Sequence, residues 1–264
     1  MSAVSGTVVV TGASSGIGRA LARAWARRGS TLVLSGRDQV SLARVAREVE
    51  GDGGKAVVIA ADVTREEDRK RLIEGALART GRLDVLVNNA GRGYYGSAAG
   101  IDLGELEALF ALNVFAPLRL VQLGLDALTR SGGTIVMLSS VAGVVAAPRM
   151  GAYAASKFAL EALSMALRAE LVGAGVRVVV VRPGPVATRF RENSISREGR
   201  AGVRPPGARV QTAEEVAAQT VRAVDARRAV VETTAFARAA SATARMAPGA
   251  MRWISAVMAA RARS

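Results

Sequence analysis

The chain of 264 residues contains neither cysteine nor histidine. Disulfides, thiolate nucleophiles, imidazole bases and the commoner zinc ligand sets are therefore excluded. Any proton transfer falls to tyrosine, lysine, serine or carboxylates. Lysine is almost missing too, standing only at positions 55, 70 and 157, and tyrosine only at 94, 95 and 153. No unbroken apolar run reaches about eighteen residues, so no spanning helix is expected. The N-terminus Met1-Ser-Ala-Val-Ser lacks the charged segment and apolar stretch of a secretory signal, which makes a cytoplasmic location the expectation.

Arginine has taken nearly every other cationic position, and the formal net charge is +14 with a pI near 11.4. Such charge invites a nucleic-acid reading, because contacts to phosphate dominate that affinity. The arginines are instead dispersed along helical stretches such as Arg19 to Arg28 and Arg37 to Arg47, and few aromatic residues could stack on bases. No nucleic-acid partner is expected. An anionic cofactor, an acidic substrate or an anionic membrane surface would be drawn by the same field.

Short runs rich in Val, Ile and Leu alternate with longer segments of helical period, the pattern of a parallel sheet covered on both faces. The strand candidates are Thr7–Thr11, Thr31–Ser35, Ala56–Ala60, Val85–Asn88, Thr134–Ser139, Arg177–Arg182 and Ala229–Glu232. The helix candidates are Gly16–Arg28, Gln39–Val49, Arg65–Arg79, Leu103–Leu128, Gly151–Val172 and Ala213–Ala226. Together they predict one α/β domain over residues 1–264, a doubly wound sheet of seven strands. Residues 189–210, rich in Arg, Gly and Pro, read as a substrate loop or lid. Residues 234–264 read as a C-terminal helical extension, two stretches separated by Pro248-Gly249.

The segment Thr11-Gly-Ala-Ser-Ser-Gly-Ile-Gly18 follows the first strand and opens the first helix, the context of a dinucleotide-binding turn. Gly12 permits the tight turn, Gly16 lets backbone approach a pyrophosphate, and Gly18 lets the helix pack on the sheet. Ser14, Ser15 and Ile17 complete the cradle. At the end of the second strand a carboxylate would favour NAD and an arginine NADP. The chain reads Ser35-Gly36-Arg37 there, so NADP(H) is expected over NAD(H), with Asp38 as a helix cap.

Tyr153 and Lys157 lie four residues apart, on one face of a helix, and Ser140 lies thirteen residues upstream at the end of a strand. A nearby ammonium would favour the phenoxide of Tyr153 and lower its pKa, making it a workable acid or base. Ser140 is placed to hydrogen-bond a substrate oxygen. Ser139 should point to the opposite side of the strand.

The glycine turn, Asn88-Asn-Ala-Gly91 after the fourth strand, Asn113, Ser140, Tyr153-x-x-x-Lys157 and Pro183-Gly184 resemble, in order and spacing, the short-chain dehydrogenase/reductase family over about residues 5 to 232. The resemblance implies a Rossmann-type fold and an NAD(P)-dependent oxidoreductase that interconverts a carbonyl and an alcohol by hydride transfer. By resemblance, Asp62-Val63 would contact the adenine, Asn89, Ala90 and Gly91 would support the cofactor, and Thr188, after Pro183-Gly184-Pro-Val186, would hold the nicotinamide carboxamide. Asn113 would hold a water linking Lys157 to solvent, or else satisfy backbone groups. The competing reading, a non-catalytic NADP-binding sensor or scaffold, would have little need for Ser140, Tyr153 and Lys157 together.

Candidate pocket walls are Tyr94, Tyr95, Val144, Val145, Met150 and the loop from Phe190, which suggests a hydrophobic ketone, aldehyde or alcohol as the small-molecule substrate. A homodimer or homotetramer is expected by resemblance. The Arg-rich tail replaces the family's usual ending, which puts the tetramer in doubt. It could pack on the domain, mediate association, or make peripheral membrane contact through Trp253 and nearby methionines.

Overall fold

Along a strand, successive side chains point to opposite faces, and here both sets are apolar. In Thr7–Thr11, for example, Val8 and Val10 enter one hydrophobic layer while Val9 enters the other. A strand of this kind must be covered on both sides, which is the condition a parallel sheet with helical crossovers meets.

The computed structural model describes residues 6–197 and 209–246. The elements run β1 (Thr7–Thr11), α1 (Gly16–Ala26), β2 (Thr31–Gly36), α2 (Gln39–Gly51), β3 (Lys55–Ala60), α3 (Glu66–Thr80), β4 (Val85–Asn88), β5 (Tyr94–Tyr95) and α4 (Leu103–Phe110). A π turn (Ala111–Phe115) leads into α5 (Ala116–Ser131), followed by β6 (Thr134–Leu138), a 3-10 turn (Val141–Gly143), α6 (Gly151–Glu170) and β7 (Arg177–Arg182). The chain continues through β8 (Ile195–Ser196), α7 (Ala213–Asp225), β9 (Val230–Glu232) and α8 (Ala235–Met246).

Seven parallel strands make one sheet in the order β3-β2-β1-β4-β6-β7-β9. Val8, Leu32, Leu34, Val87, Val136 and Val181 face α1, α2 and α7, where Leu21, Trp25, Leu42 and Val216 are fully buried. Val9, Val33, Leu86, Ile135, Met137 and Val180 face α3, α5 and α6 through Leu72, Leu120, Leu128 and Leu160. Each fully buried Leu or Val of these layers contributes roughly 1.5–3 kcal/mol of transfer free energy. The order of connection reverses between β1 and β4, and a crevice opens at the carboxyl ends of the strands at such a reversal.

The single helix expected over Leu103–Leu128 is interrupted. Pro117 has no N–H to offer the carbonyl of Asn113 four residues back, and the backbone widens into the π turn just before it. By length and composition Leu103–Ser131 could cross a membrane, yet Leu109, Leu120, Val121 and Leu128 are buried in the protein's own core. The loop from residue 189 is more regular than expected, because Ile195–Ser196 pairs in parallel with Tyr94–Tyr95 as a second small sheet. Of the two helical stretches expected in the tail, α8 is the first. Met251, Trp253 and Met258 lie outside the described residues, as do residues 198–208 of the proposed lid.

Candidate active site

The glycine turn is built as its sequence implies. Gly12 and Gly16 have φ of +64° and +53°, in the left-handed region that L side chains rarely adopt. A Cβ on Gly18 would lie 2.2 Å from the Gly12 carbonyl oxygen, so no side chain fits where α1 crosses the turn. Ser14 and Ser15 flank the turn half-buried, and Ile17 packs on the core. Ser15 precedes α1 without capping it through its side chain, and the first turn holds no acidic residue, so its N–H groups suit an anion. The Asn89 amide donates to the carbonyls of Thr11 (2.9 Å) and Gly12 (3.2 Å), while Thr11 Oγ1 accepts the N–H groups of Asn89 (3.0 Å) and Ala90 (3.1 Å). Asn89 thus braces the turn, and Thr11 is a brace that the sequence reading missed.

Thr188 arrives from the other side, its Cγ2 3.3 Å from where a Cβ of Gly16 would stand. Pro183 accepts the Val141 N–H at 3.1 Å, Gly184 passes against Thr234, and Val186 bridges to Gln211. The two segments expected to hold opposite ends of a nicotinamide dinucleotide therefore meet at Gly16 and Thr188. At the end of β2 a Cβ on Gly36 would meet only ordinary contacts, the nearest being Ser14 Oγ at 3.6 Å. Arg37 is exposed beside it. Asp38 caps α2, its Oδ1 accepting the Ser41 N–H at 3.1 Å. Asp62 closes its own turn, with Oδ1 accepting from the Thr64 N–H (3.0 Å) and hydroxyl (2.7 Å). Burial works to raise its pKa, but the Thr64 bonds and the charge of Arg37 hold it below the usual range. Val63 is core.

Ser140, Tyr153 and Lys157 do come together. Ser140 accepts the Ala142 N–H at 3.1 Å, and its hydroxyl works to lower the Tyr153 pKa. Ser139 Oγ lies 2.6 Å from where a Cβ of Gly143 would stand. The Lys157 Nζ lies 5.9 Å from the Tyr153 ring centroid, is buried, and donates to the Leu138 carbonyl at 2.7 Å. The expected lowering of Tyr153 is not found in the chain itself. Burial drives its pKa up, Ser140 opposes this, and Tyr95 adds to the rise, while Lys157 is held by Leu138. The ring also packs on Phe190, with centroids 5.7 Å apart, inside a small apolar cluster of Tyr94, Leu109, Ala142 and Ala152. Met150 lies against that cluster.

Asn113 sits fully buried on the π turn. Its amide is taken up by the backbone of Arg92 and by Ser156, whose hydroxyl donates to the Tyr153 carbonyl at 2.7 Å. Of its two expected roles, the side chain shows the bracing one. Gly91 lies against it, with Lys157 Nζ 3.7 Å from a Cβ placed there.

One feature went unread in the sequence. Glu161, one turn beyond Lys157, is gripped in two-pronged fashion by Arg182 (2.9 and 2.8 Å), which also holds Glu232 at 2.9 Å. The i+4 spacing from Lys157 was its only signal.

The family model for short chain dehydrogenase matches residues 6–199. The chain belongs to this family. Among curated relatives of this short-chain dehydrogenase, the ketoacyl reductase HetN of Nostoc sp. is 39% identical over 182 residues, 69% of this chain and 63% of that protein. The dehydrogenase/reductase SDR family member 7B of Danio rerio is 36% identical over 73% of this chain and 64% of its own. The chain thus spans less than two thirds of the length of these two relatives. Among solved structures, a short-chain dehydrogenase/reductase from Burkholderia phymatum in complex with NAD aligns with TM-score 0.83 at 28% identity, over 96% of each chain. A short-chain dehydrogenase from Sphingobium yanoikuyae in complex with NADPH aligns with TM-score 0.75 at 33% identity, over 87% of this chain and 88% of that one. The family's oxidoreductase fold binds nicotinamide cofactors, and the glycine turn described above fits such a group.

Proposed function

We propose that this short-chain dehydrogenase is an NADP(H)-dependent oxidoreductase that interconverts a ketone or aldehyde with its alcohol. The observation that carries the reading is the meeting of Ser140, Tyr153 and Lys157, together with the glycine turn that Thr188 approaches. When bound, the nicotinamide would supply or take up the hydride. Tyr153 gives a proton to the carbonyl oxygen in reduction, or takes one from the alcohol in oxidation. Ser140, whose hydroxyl acts on Tyr153, orients and polarises that oxygen. Lys157 supplies fixed positive charge beside the ring, which favours phenoxide as the proton leaves.

Gly36 and Arg37 support NADP(H) over NAD(H), since a 2′-phosphate finds a guanidinium there and no carboxylate. The apolar cluster around Tyr153 supports a hydrophobic substrate, and the name of the Nostoc relative fits a carbonyl on an acyl chain. Oxidation of NADPH across a panel of ketones, aldehydes and acyl thioesters tests the reaction class. Tyr153→Phe should abolish turnover while NADPH still binds, and undiminished turnover would overturn the reading.

A further inference from the structure

Tyr153, Lys157 and Glu161 repeat at intervals of four along α6, so they form one stripe down a single face of the helix. Lys157 lies in the middle of that stripe, 4% exposed. An ammonium so placed stays charged only if something nearby compensates the lost hydration. Charged and titratable groups on the elements packed against it are limited. Its own helix offers Tyr153, Glu161, Arg168 and Glu170, β5 offers Tyr94 and Tyr95, α4 offers Glu105 and Glu107, and β7 offers Arg177 and Arg182. The π turn and the 3-10 turn carry no charged residue. Glu105 is paired with Arg197, and burial holds Tyr94 and Tyr95 in their neutral forms. Glu107 and Glu170 are exposed, so among the described residues Glu161 is the buried carboxylate on these elements that remains to face Lys157.

We infer that Glu161 is a positioning residue whose carboxylate, fixed by Arg182, keeps Lys157 in its ammonium form beside Tyr153; the inference rests on the proposed catalytic part of Lys157. The geometry gives Glu161 no freedom to turn elsewhere. Both its oxygens are bound by Arg182, at 2.9 and 2.8 Å, and the two side chains are 8% and 10% exposed. The electrostatic directions agree: burial pushes Lys157 down, Glu161 pushes it back up, and the two together leave it at about 8. Arg182 also bonds Glu232, so it sets how much of the Glu161 charge reaches Lys157. Removing negative charge at 161 and removing positive charge at 182 must therefore move Lys157 in opposite directions. A purely structural role has no such sign.

The chain is suited to a direct measurement, because it has only three lysines and Lys55 and Lys70 are exposed. In protein labelled with 13C at lysine Cε, the third side-chain resonance, assigned with Lys157→Met, reports the Lys157 titration without any turnover. Glu161→Gln should lower its midpoint by about one pH unit, a tenfold change in the protonation ratio. The high-pH limb of the turnover profile should move down with it. Arg182→Gln should raise the midpoint, and it reads the same coupling if the Glu161 variant fails to fold. A midpoint that stays put in Glu161→Gln, or that moves the same way in both variants, overturns the inference. That outcome, with turnover still lost in Tyr153→Phe, leaves the proposed function standing; turnover kept in Tyr153→Phe removes the function instead.

Discussion

The side chain of Asn113 brackets the backbone of Arg92, its Oδ1 accepting the Arg92 N–H at 3.0 Å and its Nδ2 donating to the Arg92 carbonyl at 2.9 Å. A side chain here makes the paired bonds that a neighbouring strand would make. The segment after Gly91 is thereby fixed beside Lys157, and the bond from Nδ2 to Ser156 at 3.0 Å ties it to the helix that carries Tyr153. Asn113→Ala strands two backbone groups, each worth about 1–3 kcal/mol when left unsatisfied in the interior. Thermal unfolding should show a loss of about 2–4 kcal/mol, with turnover falling more than NADPH affinity. A variant as stable as the parent would show that the bracket is dispensable.

Arg37 is the residue on which the cofactor preference turns. A charge-assisted bond to a 2′-phosphate is worth roughly 1.5–3 kcal/mol, about tenfold to a hundredfold in affinity. Arg37→Ala should weaken NADPH by that factor and leave NADH within about twofold. Equal weakening of both cofactors, measured by fluorescence titration, would discard the preference for NADP(H).

Lys157 should cost the protein stability in return for its place beside Tyr153. Its value of about 8 in the folded chain lies below the ordinary 10.5, so between these values the unfolded chain binds more protons. Stability therefore rises with pH from about 8 toward 10 and is lowest, on this account, below that window. Beyond about 10 the buried tyrosines, whose ionisation is held up in the fold, ionise first in the unfolded chain and turn the curve down. Lys157→Met should unfold later at pH 7, by on the order of 1–3 kcal/mol, with a flattened rise and no turnover. Denaturant titrations from pH 7 to 10 would check it, and an unchanged slope would count against a strained ammonium.

The parts of the fold that depend on short-range pattern were legible in the sequence. Strands such as β1 and β7 announce themselves because both faces must be apolar, and the glycine turn because positions 12, 16 and 18 each forbid a side chain. Asp38 was readable as a cap from its place before α2. What depended on contacts between distant segments was not. The two-residue strands at Tyr94 and Ile195 have no period to detect, and neither would be a strand without the other. The π turn was signalled only by Pro117, since the apolar period continues across it. The bond between Lys157 and the Leu138 carbonyl involves a backbone oxygen, which no residue type advertises.

The small β5–β8 sheet joins residues a hundred positions apart in sequence, Tyr94–Tyr95 on the floor of the site and Ile195–Ser196 in the loop above it. The same loop places Phe190 on the Tyr153 ring and Arg191 over the Tyr95 ring. Roof and floor are consequently one mechanical piece. Separation of this loop from Tyr94–Tyr95 would break the pairing and take Phe190 off Tyr153 in the same movement. Readiness to react is then reported by the fate of a few backbone bonds, and the amide protons of Ile195 and Arg197, which donate to Gly93 and Tyr95, are the places to watch for it.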